Sequence, residues 1–139
     1  MESMKVVDYM DRQPVLLHAN MTLAAAVDKL LAQKKLGAAV VNEQGILVGF
    51  LSQQDCLAVM LKSTYHCDLT ANVSDCMRTD VLTVSRETPI ITLAEQMLQA
   101  KPKIYPVVDE HKKVLGIVDR NAVLRAINIS MQECYLKPA

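Results

Sequence analysis

The chain has 139 residues, 51% of them apolar and only 4% aromatic, with 15 Lys and Arg set against 15 Asp and Glu. That length and apolar content imply one domain, or two small interdependent ones, with a core of aliphatic side chains, and they exclude a disordered chain. Zero net charge, with no basic run longer than the pairs Lys34-Lys35 and Lys112-Lys113, argues against a nucleic-acid partner. No apolar stretch is long enough for a membrane span, and residues 1–11 lack a signal peptide's apolar block, so a cytoplasmic protein is expected.

In chain order, residues 6–10 predict a helical turn, Asp11-Arg12-Gln13-Pro14 a break, and Val15-Leu16-Leu17 a short strand. Asn20 or Thr22 can cap a helix over 23–33, which Gly37 ends. Ala38-Ala39-Val40-Val41 reads as a buried strand, Asn42-Glu43-Gln44-Gly45 as a turn, and 46–51 as the returning hairpin strand. A helix over 53–63 follows, then a polar connection over 65–71. In the second half, Thr88 is a candidate cap with Pro89 in the first helical position, Pro102 marks that helix's end, and 109–113 is a hairpin turn. A last helix starts near Arg120.

The two halves repeat each other. Val6-x-Asp8-x-Met10 recurs as Val73-x-Asp75-x-Met77, a shift of 67 that holds without a gap. It carries Leu31 to Leu98, Val40-Val41 to Val107-Val108, Gly49 to Gly116 and Leu57 to Leu124, which is too regular for chance. Each repeat, 1–66 and 67–139, reads strand–helix–strand–strand–helix. The first two strands need a crossover and should be parallel; the last two, joined by a tight turn, should be antiparallel. The expected fold is α/β with small mixed sheets, two β-α-β-β-α repeats related by a pseudo-two-fold axis that buries their open faces.

Chemistry is expected at Gly49-Phe50-Leu51-Ser52-Gln53-Gln54-Asp55, where a strand runs straight into a helix. The Ser52 hydroxyl can accept from an orphan N–H of the first turn, and the Asp55 carboxylate is favoured by the positive end of the helix dipole. A carboxylate has two acceptor oxygens and can grip a vicinal diol such as that of a ribose. The same Ser-x-x-Asp is equally a capping box that closes the helix with no ligand. The apolar run Cys56-Leu57-Ala58-Val59-Met60-Leu61 covers the full circumference of its helix, so one side must pack elsewhere than on its own sheet. It predicts a homodimer through the helices from Gln53 and Arg120.

The doubled set of motifs resembles the cystathionine-β-synthase (CBS) domain pair. The matches are Asp8-Tyr9-Met10 and Asp75-Cys76-Met77, Ala39-Val40-Val41-Asn42 and Pro106-Val107-Val108-Asp109, and Gly49 to Asp55; together they cover roughly 6–129, and a stand-alone pair with no catalytic, channel or transporter domain is expected. The resemblance implies a regulatory module of bacterial type, not an enzyme, acting on a regulated protein that the sequence does not identify. It implies a cleft between the repeats for AMP, ADP, ATP or an S-adenosyl compound. By position, Ser52 and Asp55 would hold the ribose, Met77 and Val81-Leu82 would meet the base, and Lys103-Ile104-Tyr105-Pro106 would form the remaining wall, with Lys103 placed to neutralise a phosphate. The second repeat departs from the pattern: Asp119 replaces Ser52, keeping a cap, and Ala122 replaces Asp55, losing the diol-binding carboxylate. That loss keeps open an alternative, a ligand-free interaction module working through its apolar helices.

Other constellations carry less. His66-Cys67 with Cys56 and Cys76 lacks the paired spacing of a zinc site, no cysteine or serine has a recognisable base partner, and the four glycines are too scattered for a phosphate loop. Cys56, Cys67, Cys76 and Cys134 are expected as reduced thiols, with no required cofactor or metal.

Overall fold

The computed structural model describes residues 4–63 and 70–136. The expectations for the connection at 65–69, for His66 and for the Cys67 thiol lie outside them. The chain forms two compact units. One, here the Asp55 unit, contains the described part of Gln13–Val81 and the short segment His111–Val114; the other, the Tyr105 unit, contains residues 4–12, Leu82–Glu110 and 115–136. Spatial units and sequence repeats therefore differ at their openings: residues 4–12 belong with the body of the second repeat, and the Asp75-Cys76-Met77 segment with the body of the first.

In the Asp55 unit, β1 (Leu16–His18) pairs in parallel with β2 (Gly37–Val41), and β2 pairs antiparallel with β3 (Leu47–Ser52). The crossover is α1 (Leu23–Ala32), capped by Thr22, whose hydroxyl accepts from the Ala25 N–H at 3.1 Å. Gly37 does not end this helix, as it was expected to. The chain turns at Lys34, in the left-handed region at φ 55°, while Lys35 N–H bonds the Leu30 carbonyl and Lys34 N–H that of Leu31. This pair of bonds satisfies the last carbonyls of α1, and Gly37 is left free to open β2. The turn after β2 is held by Asn42, whose Oδ1 accepts from the backbone N–H of Gln44 and of Ile46, each at 3.0 Å. A register shift between Val40 and Val41 then bends the ladder. β3 runs without a gap into α2 (Gln53–Ser63), and a short helix α3 (Val73–Cys76) closes the unit. Leu17, Leu23, Ala26, Leu30, Val40, Leu51 and Val73 form its core.

The Tyr105 unit opens with a single 3-10 turn, Val6–Asp8, tied to the second repeat by Val6 N–H to the Thr88 carbonyl (2.9 Å) and Val7 N–H to that of Arg86 (3.0 Å). Then come α4 (Ile90–Met97), the paired strands β4 (Ile104–Val108) and β5 (Val114–Asp119), and α5 (Arg120–Leu136). Its core gathers Val6, Ile90, Leu93, Tyr105, Val107 and Ala126, all fully buried.

Three local expectations change here. The opening strand of the second repeat shrinks to one parallel bridge, Val84 to Val107, because only Val84 among Thr83-Val84-Ser85 is buried. Pro89 is the N-cap of α4 rather than its first residue, and the Thr88 hydroxyl instead accepts from Ser85 N–H at 3.1 Å, closing the preceding turn. Finally, α4 stops at Met97, well before Pro102, and Lys103 takes up the Met97 carbonyl and that of Gln99 just beyond the helix.

Candidate functional site

Ser52 is the last residue of β3, so its position is set by the sheet, and Asp55 follows in the first turn of α2. Their bonds are reciprocal. The Ser52 hydroxyl accepts from Asp55 N–H at 3.0 Å and donates to Asp55 Oδ2 at 2.8 Å, while Ser52 N–H donates to the same Oδ2 at 3.2 Å. The capping box is formed in full. The other oxygen, Oδ1, accepts from Arg78 Nε at 3.3 Å in an ion pair whose Asp side chain is 16% exposed and whose Arg side chain is 65% exposed.

Arg78 reaches Asp55 because a glycine lets its backbone in. A Cβ at Gly49 would stand 2.5 Å from Met77 Sδ and 2.8 Å from the Arg78 carbonyl oxygen, so only glycine admits this crossing. Past it, Arg78 and Phe50 exchange both backbone hydrogen bonds at 2.9 Å each, which fixes Arg78 beside the end of β3. Met77 is thus half-buried over Gly49. Arg78 is the residue that sequence reasoning passed over. The available signal was a cation immediately after the Asp-x-Met motif, at the position that the 67-residue shift matches to Asp11 in the first repeat.

The predicted residues divide between the units. Ser52, Asp55, Met77 and Val81 belong to the Asp55 unit; Leu82, Lys103, Ile104, Tyr105 and Pro106 belong to the Tyr105 unit. Leu82 is exposed and Val81 half-exposed. The Lys103 ammonium donates to the Met97 carbonyl and, at 3.2 Å, to that of Gln99, where a cation suits the negative end of α4. Tyr105 and Pro106 are buried. Burial also pushes the Tyr105 phenol up from its ordinary value, opposed by a long 3.4 Å bond from Gln96 Nε2 to its oxygen.

The matching positions of the second repeat, also in the Tyr105 unit, keep the scaffold without the carboxylate. Asp119 Oδ1 accepts from Ala122 N–H at 2.8 Å, as the sequence led us to expect, and the Ala122 side chain is buried. A Cβ at Gly116 would lie 2.5 Å from the Asp11 carbonyl oxygen, and Asp11 and Ile117 exchange backbone hydrogen bonds at 2.8 and 3.0 Å. Separately, the Tyr105 unit has an open pocket of about 510 Å³ between residues 83–88, Gln96 and 108–110; none of the predicted site residues lines it.

The described thiols of Cys56, Cys76 and Cys134 are free. Burial pushes those of Cys56 and Cys76 upward, the opposite of what a reactive thiolate needs. Among the described residues no cluster of His, Cys, Asp and Glu could hold a metal ion, and no helix is long and apolar enough to cross a membrane.

The family model for the CBS domain matches the chain twice, at residues 6–62 and 73–129. Among solved structures, AcuB from Vibrio cholerae is 28% identical, with a TM-score of 0.82 over 97% of this chain and 98% of its own. CBSX2, a CBS-pair protein of Arabidopsis thaliana, was solved in complex with AMP; it is 28% identical, with a TM-score of 0.79 over 91% of this chain and 98% of its own. Among curated proteins, the homoserine O-acetyltransferase of Methanococcoides burtonii is 31% identical over 88% of this chain, but the match spans only 24% of that protein's length. The next two curated relatives are covered over 32% and 22% of theirs.

Proposed function

We propose, starting from the fact that this chain belongs to the CBS domain family, that it is a regulatory module rather than an enzyme and binds an adenine nucleotide or adenosyl compound at the junction of β3 and α2. The observation that carries this reading is the Asp55 carboxylate, held by the Ser52 backbone and hydroxyl with, among the described residues, one outside donor, Arg78, on Oδ1. A carboxylate so placed can accept from the two hydroxyls of a ribose, and the AMP complex of CBSX2 supports an adenine nucleotide.

The test is calorimetric titration of AMP, ADP, ATP and S-adenosylmethionine, together with mass spectrometry of small molecules that co-purify with the protein. The expected result is saturable binding of at least one of them at one site per chain, since Ala122 offers no second carboxylate. No heat with any of the four up to about 1 mM, and no adenosyl compound co-purifying, would return Ser52 and Asp55 to a capping box. The alternative, a ligand-free interaction module, would then take over.

The reading includes a homodimer through α2 and α5. Leu57 and Leu61 on α2 are 59% and 61% exposed, and Leu124 on α5 is 66% exposed, at the position that the repeat matches to Leu57. Exposed apolar side chains of this size on both helices suit a self-complementary interface. Light scattering at micromolar protein should give twice the chain mass; a monomer mass removes the claim.

A further inference from the structure

We infer that Arg78 sets ligand selectivity at this site: it holds Asp55 while no ligand is bound, and turns to the ligand's phosphate when a ribose diol displaces it. The inference rests on the nucleotide reading above and narrows it to one ligand class, a phosphorylated nucleoside in preference to an uncharged nucleoside or a sulfonium such as S-adenosylmethionine.

The acceptor count sets the competition. Asp55 Oδ2 already receives two hydrogen bonds from Ser52, so a diol must use Oδ1, where Arg78 Nε sits. At 3.3 Å and through one nitrogen, that contact is longer than a good charge-assisted bond and is readily displaced. Arg78 is built to move at one end only. Its backbone is pinned by the two Phe50 bonds, while its side chain is 65% exposed on a long flexible stem.

The second repeat supplies an independent observation. It reproduces the scaffold, with Gly116 in place of Gly49 and the Asp11–Ile117 bonds in place of Arg78–Phe50. Yet where Asp55 becomes Ala122, Arg78 becomes Asp11. The cation accompanies the carboxylate and is absent where the carboxylate is absent, so the fold itself does not require it.

Three ligand types meet different consequences. An uncharged nucleoside breaks the Arg78–Asp55 contact and gives Arg78 nothing in return. A nucleotide replaces it with a guanidinium–phosphate pair, which can use two parallel N–H donors. A sulfonium brings a second positive charge up to the displaced guanidinium.

The test is titration of adenosine, AMP and S-adenosylmethionine into the wild-type protein, Arg78→Gln and Arg78→Lys, with a melting curve for each. Wild type should prefer AMP over adenosine by about tenfold or more, the scale of one charge-assisted pair. In Arg78→Gln the preference should fall to within about threefold, with AMP weakened and adenosine unchanged or tightened; Arg78→Lys should keep part of it, as a point charge without the fork. S-adenosylmethionine should gain in Arg78→Gln. If the AMP-to-adenosine ratio is the same in all three proteins while Asp55→Ala weakens AMP binding by about ten- to hundredfold, the nucleotide reading stands and the inference is overturned. If wild type binds none of the three, both fall.

Discussion

Tyr105→Ala should lower the free energy of unfolding by about 3–5 kcal/mol, the scale of removing a large buried ring from a packed core. Tyr105 is fully buried and belongs to the core that holds Val6, Ile90, Leu93 and Val107. Tyr105→Phe keeps the ring and loses only an oxygen whose one bond, from Gln96, is 3.4 Å long; the cost should be about 1 kcal/mol or less. Urea melts at neutral pH measure both. The hydroxyl adds a pH effect. Burial raises the phenol above its ordinary value of 10.0, so above that pH the unfolded chain has released this proton while the folded protein keeps it. Unfolding then releases a proton, and stability falls as pH rises from there through the folded value. That alkaline loss should be absent from Tyr105→Phe. A wall role for the ring's hydroxyl in ligand binding would instead appear as weaker AMP binding by Tyr105→Phe at nearly unchanged stability.

Asp55→Ala should weaken adenine-nucleotide binding by roughly ten- to hundredfold, or about 1.5–3 kcal/mol, as expected for removing a charged acceptor of two hydroxyls. The same change opens the capping box, since Ser52 N–H and its hydroxyl lose their acceptor, so a stability cost of about 1 kcal/mol accompanies it. Asp55→Asn separates the two effects. An amide oxygen can still accept from Ser52, which should recover most of the melting temperature, but it carries no charge and offers one oxygen in place of two. A loss of stability in Asp55→Ala that Asp55→Asn recovers, with binding untouched in both, would identify Asp55 as a cap alone. The repeat also revises a tempting gain-of-function design. Ala122→Asp by itself restores a carboxylate in the repeat whose matching position holds Asp11, so it adds an acid without the cation that accompanies Asp55. Asp11→Arg with Ala122→Asp reproduces both members of the pair.

Three helix starts were legible because capping is local chemistry, whereas Thr88 turned to Ser85 and left Pro89 to cap α4. Thr22, Ser52 and Asp119 each carry a side-chain oxygen three residues before the N–H they serve, and each does what its residue type promised. Helix ends were harder. Lys34 terminates α1 from the left-handed region, a conformation that a sequence usually signals with glycine, so Gly37 stands out in the sequence and Lys34 does not. Lys103 presented itself as a cation free for phosphate because nothing in its neighbourhood reveals that α4 ends early and leaves carbonyls within its reach. Arg78 went unremarked for a related reason. Its meaning depends on a backbone pairing with Phe50, distant in the chain, and on the missing side chain at Gly49. The repeat itself, by contrast, was open to inspection: a constant 67-residue offset needs no structure to be seen, and it alone separates the intact Ser52–Asp55 pair from the altered Asp119–Ala122 pair.

Because residues 4–12 pack into the Tyr105 unit, the first repeat cannot house them by itself. Lys5 is paired with Glu87, 82 residues later. At a synthesis rate of about 5–20 residues per second, Val6 and Met10 emerge from the ribosome seconds before Ile90, Leu93 and Tyr105 exist to receive them. A nascent chain halted after its first repeat would display those two apolar side chains with no core to enter, and would be a natural client for a chaperone that holds apolar segments. The order of manufacture and the order of assembly part company here: Lys5, Val6 and Met10 are made long before the residues that house them.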